Sequence, residues 1–395
     1  MNKEFALKIF EGFSIERWTD MIRPFEVVEM DKAAERMVLS YIIGKFEENL
    51  GKKVDWEWMI YASLFELLRK IALCDIKSPV QRLIKTEFPY EYKKLNDWVI
   101  EQYTSLLDSS LLERFKIYLS RTEETPTERI FRAAHKFSTL RELEMISTVN
   151  ESQRLEPIKK EVFADLQEFL DLVGLQMLIT RQRPFDFLMR IEQLRFQTRW
   201  NQTPRVPRTS VLGHCFFVAV LTLLFMHENN TCENKVRLYN NFFSALFHDL
   251  PEAVTRDIIS PVKQATYSLP SIVKNIEEQI VAKDLVPLME NFYKDEILYF
   301  TSDEFENRVF CEKKVKFVTW EALNSIYTNA EYIPVDGKLV RLSDHFAALL
   351  EADSSIRHGI TSVHLSEGKL NLLKNYPEGL VINGIDAFSL FRQFA

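Results

Sequence analysis

Four side chains able to hold a metal ion or move a proton crowd into ten residues of an otherwise apolar stretch: His248, Asp249, Glu252 and Asp257. An imidazole beside a carboxylate at the end of a helical run offers a divalent cation two ligands from one rigid piece of chain. A lone histidine on an apolar face is ordinarily a core residue, so the doublet gains meaning only with a second histidine and a distant carboxylate. His214, heading the apolar run 214–226, and Asp344, within the run 339–350, complete that set. Two imidazoles and two carboxylates suit one borderline divalent transition metal, of the group Mn, Co, Zn, Fe or Ni. Such an ion with an open position is a Lewis acid for water or for a phosphoryl group.

The elements that must position these residues read as helices. Ten glycines in 395 residues, scarce strand signals and apolar residues recurring three and four apart point to an all-α chain with full cores. The runs 37–46, 58–71, 162–179 and 272–289 show that periodicity. A helix from Leu238 would bury Phe242, Phe243, Leu246 and Phe247 and present His248 at its end. Pro251 disfavours helical geometry at Leu250, which ends the helix there and puts Asp249 at a bend. Asp249 to Glu252 also reads as an Asp-x-x-Glu helix start. Residues 122–128 and 229–234 read as loops, and 268–271 as a turn with Ser271 a candidate cap. The apolar run 215–226 is too short to span a bilayer and reads as a buried helix.

In order and spacing, His214, His248-Asp249 and Asp344 resemble the ligands of the HD-domain metal-dependent phosphohydrolase superfamily. The closer resemblance is to its bacterial 5'-deoxynucleotidase subgroup. There an Arg-Trp pair precedes the first histidine by about fifteen residues and a Thr-Pro-Val-Lys stretch follows the His-Asp; here Arg199-Trp200 and 260–263 (Ser-Pro-Val-Lys) stand in those places. The resemblance spans roughly residues 190 to 355. It implies that Glu252 orients or deprotonates the attacking water, that Asp257 assists, and that Trp200 packs on the sugar and discriminates against a 2'-hydroxyl. Arg199 offers a planar fork for phosphate, with Lys263 a second cation. Asp257, Arg199 and Trp200 also read as structural, because their counterparts Asp75, Arg17 and Trp18 survive elsewhere in the chain. One departure stands out: the family commonly has a glutamate before the first histidine, where this chain has Gly213, so a carboxylate that would orient the imidazole is missing.

Those counterparts belong to an internal repeat. A shift of 182 residues aligns positions 17–80 with 199–262 at 15 identities, without a gap, and the period is that of a whole domain rather than a solenoid unit. The register sets Lys32 on His214, Glu66 on His248, Leu67 on Asp249 and Lys70 on Glu252; further along, Asp165 is placed on Asp344. The first copy, residues 1–182, therefore reads as a degenerate HD-like helical scaffold, and 183–395 as the phosphohydrolase domain, with the junction at 182–185. Because the family's nucleotidases are typically dimers, the two halves are expected to pair as an intramolecular pseudo-dimer. The aromatic face of Trp56, Trp58 and Tyr61 is a candidate surface.

A net charge of −7 supplies no global attraction to nucleic acid or to an anionic membrane. Four cysteines without close spacing fit reduced thiols, and no signal segment is evident, which reads as a cytoplasmic protein. The functional expectation is hydrolysis of nucleoside 5'-monophosphates, deoxyribonucleotides preferred. Two alternatives stand beside it: a non-catalytic nucleotide- or metal-binding regulatory protein, and an HD hydrolase acting on dNTPs or guanosine alarmones.

Overall fold

A computed structural model describes residues 1–256 and 266–395. The architecture is all-α; among the described residues, strands are confined to a small antiparallel sheet with Asn307–Cys311 at its centre and a short hairpin at 381–386. The helices Glu29–Asn49 and Trp56–Leu73 contain the first two periodic runs. The third run is two helices, Ser152–Gln167 and Val173–Ile179, separated by i→i+3 turns at Phe169 and Leu172 that bury both side chains. The fourth is a helix over Leu269–Asp284 followed by a single 3-10 turn, because Pro287 has no N–H to continue the ladder.

Helix starts differ from expectation by a turn. Ser271 is not a cap: the helix begins at Leu269 with Pro270 in its first turn, and the Ser271 hydroxyl donates back to the Ser268 carbonyl. The loop expected over 122–128 ends at Thr125, which caps the Pro126–Ile146 helix by accepting from Glu128 N–H. The expected junction is the start of the Arg183–Ile191 helix.

Local geometry around residue 17 is reproduced around residue 199. Arg17 N–H donates to the Val27 carbonyl and Arg199 N–H to that of Thr209, at 2.8 and 3.0 Å. The next residues, Trp18 and Trp200, sit in the left-handed region at φ 56° and 54°, a strained place for a bulky side chain. Each is held there by its indole N–H, which donates at 2.9 Å to a buried glutamate: Glu142 on Pro126–Ile146, and Glu351 on the Gly337–Arg357 helix.

The buried apolar residues of both halves join one cluster. The Glu29–Asn49 and Val211–Glu228 helices pack together near their N-termini, and a Cβ on Gly213 would lie 2.6 Å from Asp31 Oδ1 and 2.8 Å from the Phe13 ring. Glycine is required at 213 because the other half of the chain fills the space. Tyr41 projects among Phe243, Phe247 and Tyr293, while Trp56 packs on Tyr239 and Phe243. Trp58, by contrast, meets Tyr118 and Phe131 of its own half, while Tyr61 meets Phe65 and also reaches Cys232 of the second half. Buried ion pairs cross between the halves as well, Arg195 with Glu142 and Arg141 with Glu192. The Val211–Glu228 helix is long and apolar enough to cross a membrane, yet 89% of it is buried inside this core.

Candidate metal centre

Three helices bring the site together. Ser210 caps Val211–Glu228 by accepting from Gly213 N–H at 2.8 Å while donating its own hydroxyl to Asp31, which fixes the turn that carries His214. Lys235–Phe247 ends one residue before His248, three residues earlier than Pro251 alone would dictate, and Asp249 follows in a turn. Asp344 projects from the middle of Gly337–Arg357.

The His248 Nδ1–H donates to the Ala245 carbonyl at 2.7 Å, which leaves Nε2 as the free lone pair. That Nε2 is buried and, among the described residues, has no hydrogen-bond partner. It faces Asp249 Oδ2 at 3.2 Å, and His214 Nε2 faces Asp344 Oδ1 at 3.1 Å. Ligand atoms of His214, His248 and Asp344 all lie within 4.8 Å of one another. Imidazole nitrogens and carboxylates this close, in a buried place, are stable only with a cation or a proton between them. Burial works against the Asp249 carboxylate, but in the metal-free chain the charge of a protonated His248, then Arg199 and His214, hold it down to about 2. Asp344 is likewise held well below the carboxylate range, against burial, by His214, Arg199 and His248. The residues present therefore fit one divalent ion, with Asp249 beside the His214–His248–Asp344 group.

Four residues at this site went unrecognised in the sequence. Glu351, two turns after Asp344 on the same helix, is fully buried and faces His214 Nδ1 at 3.3 Å. It supplies the orienting carboxylate that Gly213 cannot, and only its seven-residue spacing from Asp344 could have signalled this. Cys215 Sγ shares a ligand-sized group with His248 and Asp249, although burial pushes its thiol pKa up and so disfavours the thiolate. Arg341 sits 3.8 Å from Asp344, one turn earlier on the same helix, and stacks over Phe305, which flanks His248. The Glu304 carboxyl is pushed up by burial, with Asp249 adding to the shift and His248 opposing it.

Of the remaining predicted residues, Arg199 spans the carboxylates, with Glu351 at 3.3 Å, Asp249 at 3.5 Å and Asp344 at 3.8 Å. Trp200 packs its ring edge against Gly368, where a Cβ would lie 2.5 Å away. Glu252 opens the short helix Glu252–Thr255 beside the ligands, and its backbone carbonyl accepts from Gln197. Asp257 and Lys263 lie outside the described residues. Asp165, placed on Asp344 by the sequence register, pairs with Lys136 at 2.5 Å and Arg82 at 3.0 Å and is not among the partners of Lys32. His135 stands seven residues before Glu142, as Asp344 stands seven before Glu351, and its carbonyl accepts from Lys32 Nζ.

Residues 191–373 match the model of the HD domain family. This part of the chain is similar to HD domains, which suggests a metal-dependent phosphohydrolase in general, and the buried histidine–aspartate cluster lies within the matched residues. No curated protein gives a significant match to the chain.

Proposed function

We propose that the chain removes the phosphate from nucleoside 5'-monophosphates, with deoxyribonucleotides preferred. The observation that carries the hydrolytic part is the partnerless, buried Nε2 of His248, converging with His214, Asp249 and Asp344 beneath the Arg199 guanidinium. A divalent ion held there would supply Lewis acidity and charge neutralisation at the phosphoryl group. Arg199, already stretched between three carboxylates, donates to phosphoryl oxygens, and Arg341 adds a second positive charge in place of the undescribed Lys263. Glu252 takes the proton of the attacking water, and Asp257 returns a proton to the leaving 5'-oxygen. Glu351 keeps the His214 ring in the tautomer that directs Nε2 toward Asp344.

The nucleotide and deoxy preference rests on the Arg199-Trp200 resemblance. Its force is reduced by Arg17-Trp18, which holds the same strained geometry beside a lysine instead of a histidine. Pairing of the halves as an intramolecular pseudo-dimer is part of the same proposal, supported by the shared core.

The test is metal analysis of the purified full chain, followed by a phosphate-release screen over ribo- and deoxynucleoside mono- and triphosphates and guanosine alarmones with Mn, Co, Zn, Fe and Ni. His248→Ala should abolish metal retention. Glu252→Ala should retain metal and lose turnover by about 100-fold or more, the scale of a general acid–base group. Release only from triphosphates or alarmones reassigns the substrate, and no release with any ion replaces catalysis by the binding-protein reading.

A further inference from the structure

In the first half, the place that corresponds to the metal centre is a cavity of about 150 Å³ and not a plug of apolar side chains. Glu66, which the sequence register sets on His248, and His135, seven residues before Glu142, both line it. The lining also includes Arg36, Arg132 and Lys136, so three basic side chains surround a place where only Glu66 among the lining residues is acidic.

Arg36 is the informative residue. It is fully buried, its guanidinium lies over the Phe131 ring at 4.8 Å, and among the described residues none accepts from its Nε, Nη1 or Nη2. A buried guanidinium ordinarily has all its donors engaged, because a donor left unpaired keeps the full cost of its desolvation. Of the nearby carboxylates, Glu66 is held low, against burial, by the charge of Arg69 and then that of Arg36, Glu35 keeps one buried oxygen, Oε1, without a partner among the described residues, and the others are committed elsewhere. Glu142 accepts from Arg17, Trp18 and Arg195, Asp165 from Lys136 and Arg82, and Glu35 from Ser138. Glu66 shares the lining, but its carboxylate accepts from the Tyr118 hydroxyl and lies 3.8 Å from Arg69. Lys32 and Lys70 are buried nearby, and burial lowers the pKa of both, that of Lys32 to about 7. The His135 imidazole is held well below its ordinary pKa by burial and then by Lys32, Arg36, Lys70 and Arg17.

We propose that this cavity is a second, metal-independent anion site that takes one phosphoryl group, as free phosphate or as the phosphate of a small molecule, on the donors of Arg36. A cavity of about 150 Å³ has room for a tetrahedral oxyanion. Arg36 supplies the planar fork; Lys136, paired with Asp165, and the more exposed Arg132, paired with Glu124, flank it from one turn of the Pro126–Ile146 helix. The proposal does not depend on catalysis in the second half.

The experiment is calorimetric titration of the chelator-treated full chain, in a buffer free of oxyanions, with inorganic phosphate and separately with a nucleoside 5'-monophosphate. One phosphate per chain is expected to bind with metal removed, and His248→Ala should bind it unchanged. Arg36→Met, similar in length and without a charge to bury, should weaken binding about 10- to 100-fold, the scale of a lost charge-assisted pair. Its melting temperature should stay level or rise. Should Arg36→Met not fold, Arg132→Ala, a surface change, should weaken binding several-fold instead. Tighter binding of the monophosphate than of phosphate identifies a phosphorylated small molecule as the ligand, and the reverse order identifies free phosphate. Binding that survives Arg36→Met, binding that disappears with His248→Ala, or no binding of either probe to the wild type overturns the proposal.

Discussion

Replacing Glu351 by glutamine should damage stability and metal affinity together. The carboxylate is fully buried and accepts from Trp200 Nε1 at 2.9 Å, Thr209 Oγ1 at 3.0 Å and Arg199 Nε at 3.3 Å, with His214 Nδ1 at 3.3 Å and Arg205 Nη1 at 3.7 Å. Against burial, Arg199, Arg205 and His214 hold its pKa well below the carboxylate range, so it is charged in the folded protein. Glutamine keeps the shape and removes the charge. Removing one partner of a buried pair costs about 3–5 kcal/mol, because the remaining charge stays buried. Arg199 retains Asp249 and Asp344, whereas the remaining hydrogen bonds of Arg205 go to neutral oxygens of Thr209, so a loss near the lower bound, about 3 kcal/mol, is expected. Metal affinity should fall about 10- to 100-fold, the usual cost of losing the partner that orients a ligand histidine. Urea unfolding of the metal-free chain reads the first effect, and competition against a chelating dye reads the second. Glu142→Gln is the control, since Glu142 binds Arg17, Trp18 and Arg195 in the same way but faces no metal ligand. It should cost similar stability and leave metal affinity alone. A loss below about 1 kcal/mol with unchanged metal affinity in Glu351→Gln would refute the reasoning.

Asp31 is raised to about 6 chiefly by burial, opposed by Arg195 and the Ser210 hydroxyl and reinforced by Glu142 and Glu26. The folded state then binds the extra proton between the ordinary value near 3.8 and about 6, so stability falls as pH rises through that window. Asp31→Asn should flatten this part of the stability–pH curve and stabilise the chain at pH 7 by roughly 3 kcal/mol, at about 1.4 per pKa unit; an unchanged curve argues against it. Gly213→Glu, which restores the family's common residue, should destabilise by more than about 2 kcal/mol, because the new side chain meets Asp31 and Phe13 at once. A stable Gly213→Glu chain with its halves still paired would contradict the packing account. Residues 183–395 expressed alone should self-associate on gel filtration, because Phe217, Phe243 and Phe247 lose the cover of Phe10, Phe13, Tyr41 and Trp56. A monomeric, fully metal-loaded fragment would show that the first half does not support the site.

His214, His248, Asp249 and Asp344 were legible as a candidate ligand set from type and order, because a divalent ion constrains chemistry more tightly than packing does, and the fold brings them together. Helix content was legible for a similar reason: apolar periodicity acts locally. What lay beyond sequence was every relation that depends on how two helices are phased against each other. Asp165 and His135 are both polar residues at plausible distances from Lys32, and only the packing of Pro126–Ile146 on Glu29–Asn49 decides that His135 faces it. Glu351 looks like one acid among many on an amphipathic helix until the left-handed turn at Trp200 delivers an indole N–H to it. Gly213 reads as a missing carboxylate in one dimension. In three it is the point where Asp31 and Phe13 of the other half approach the backbone, and a residue's neighbours across a fold set its allowed size in a way that its neighbours along the chain cannot.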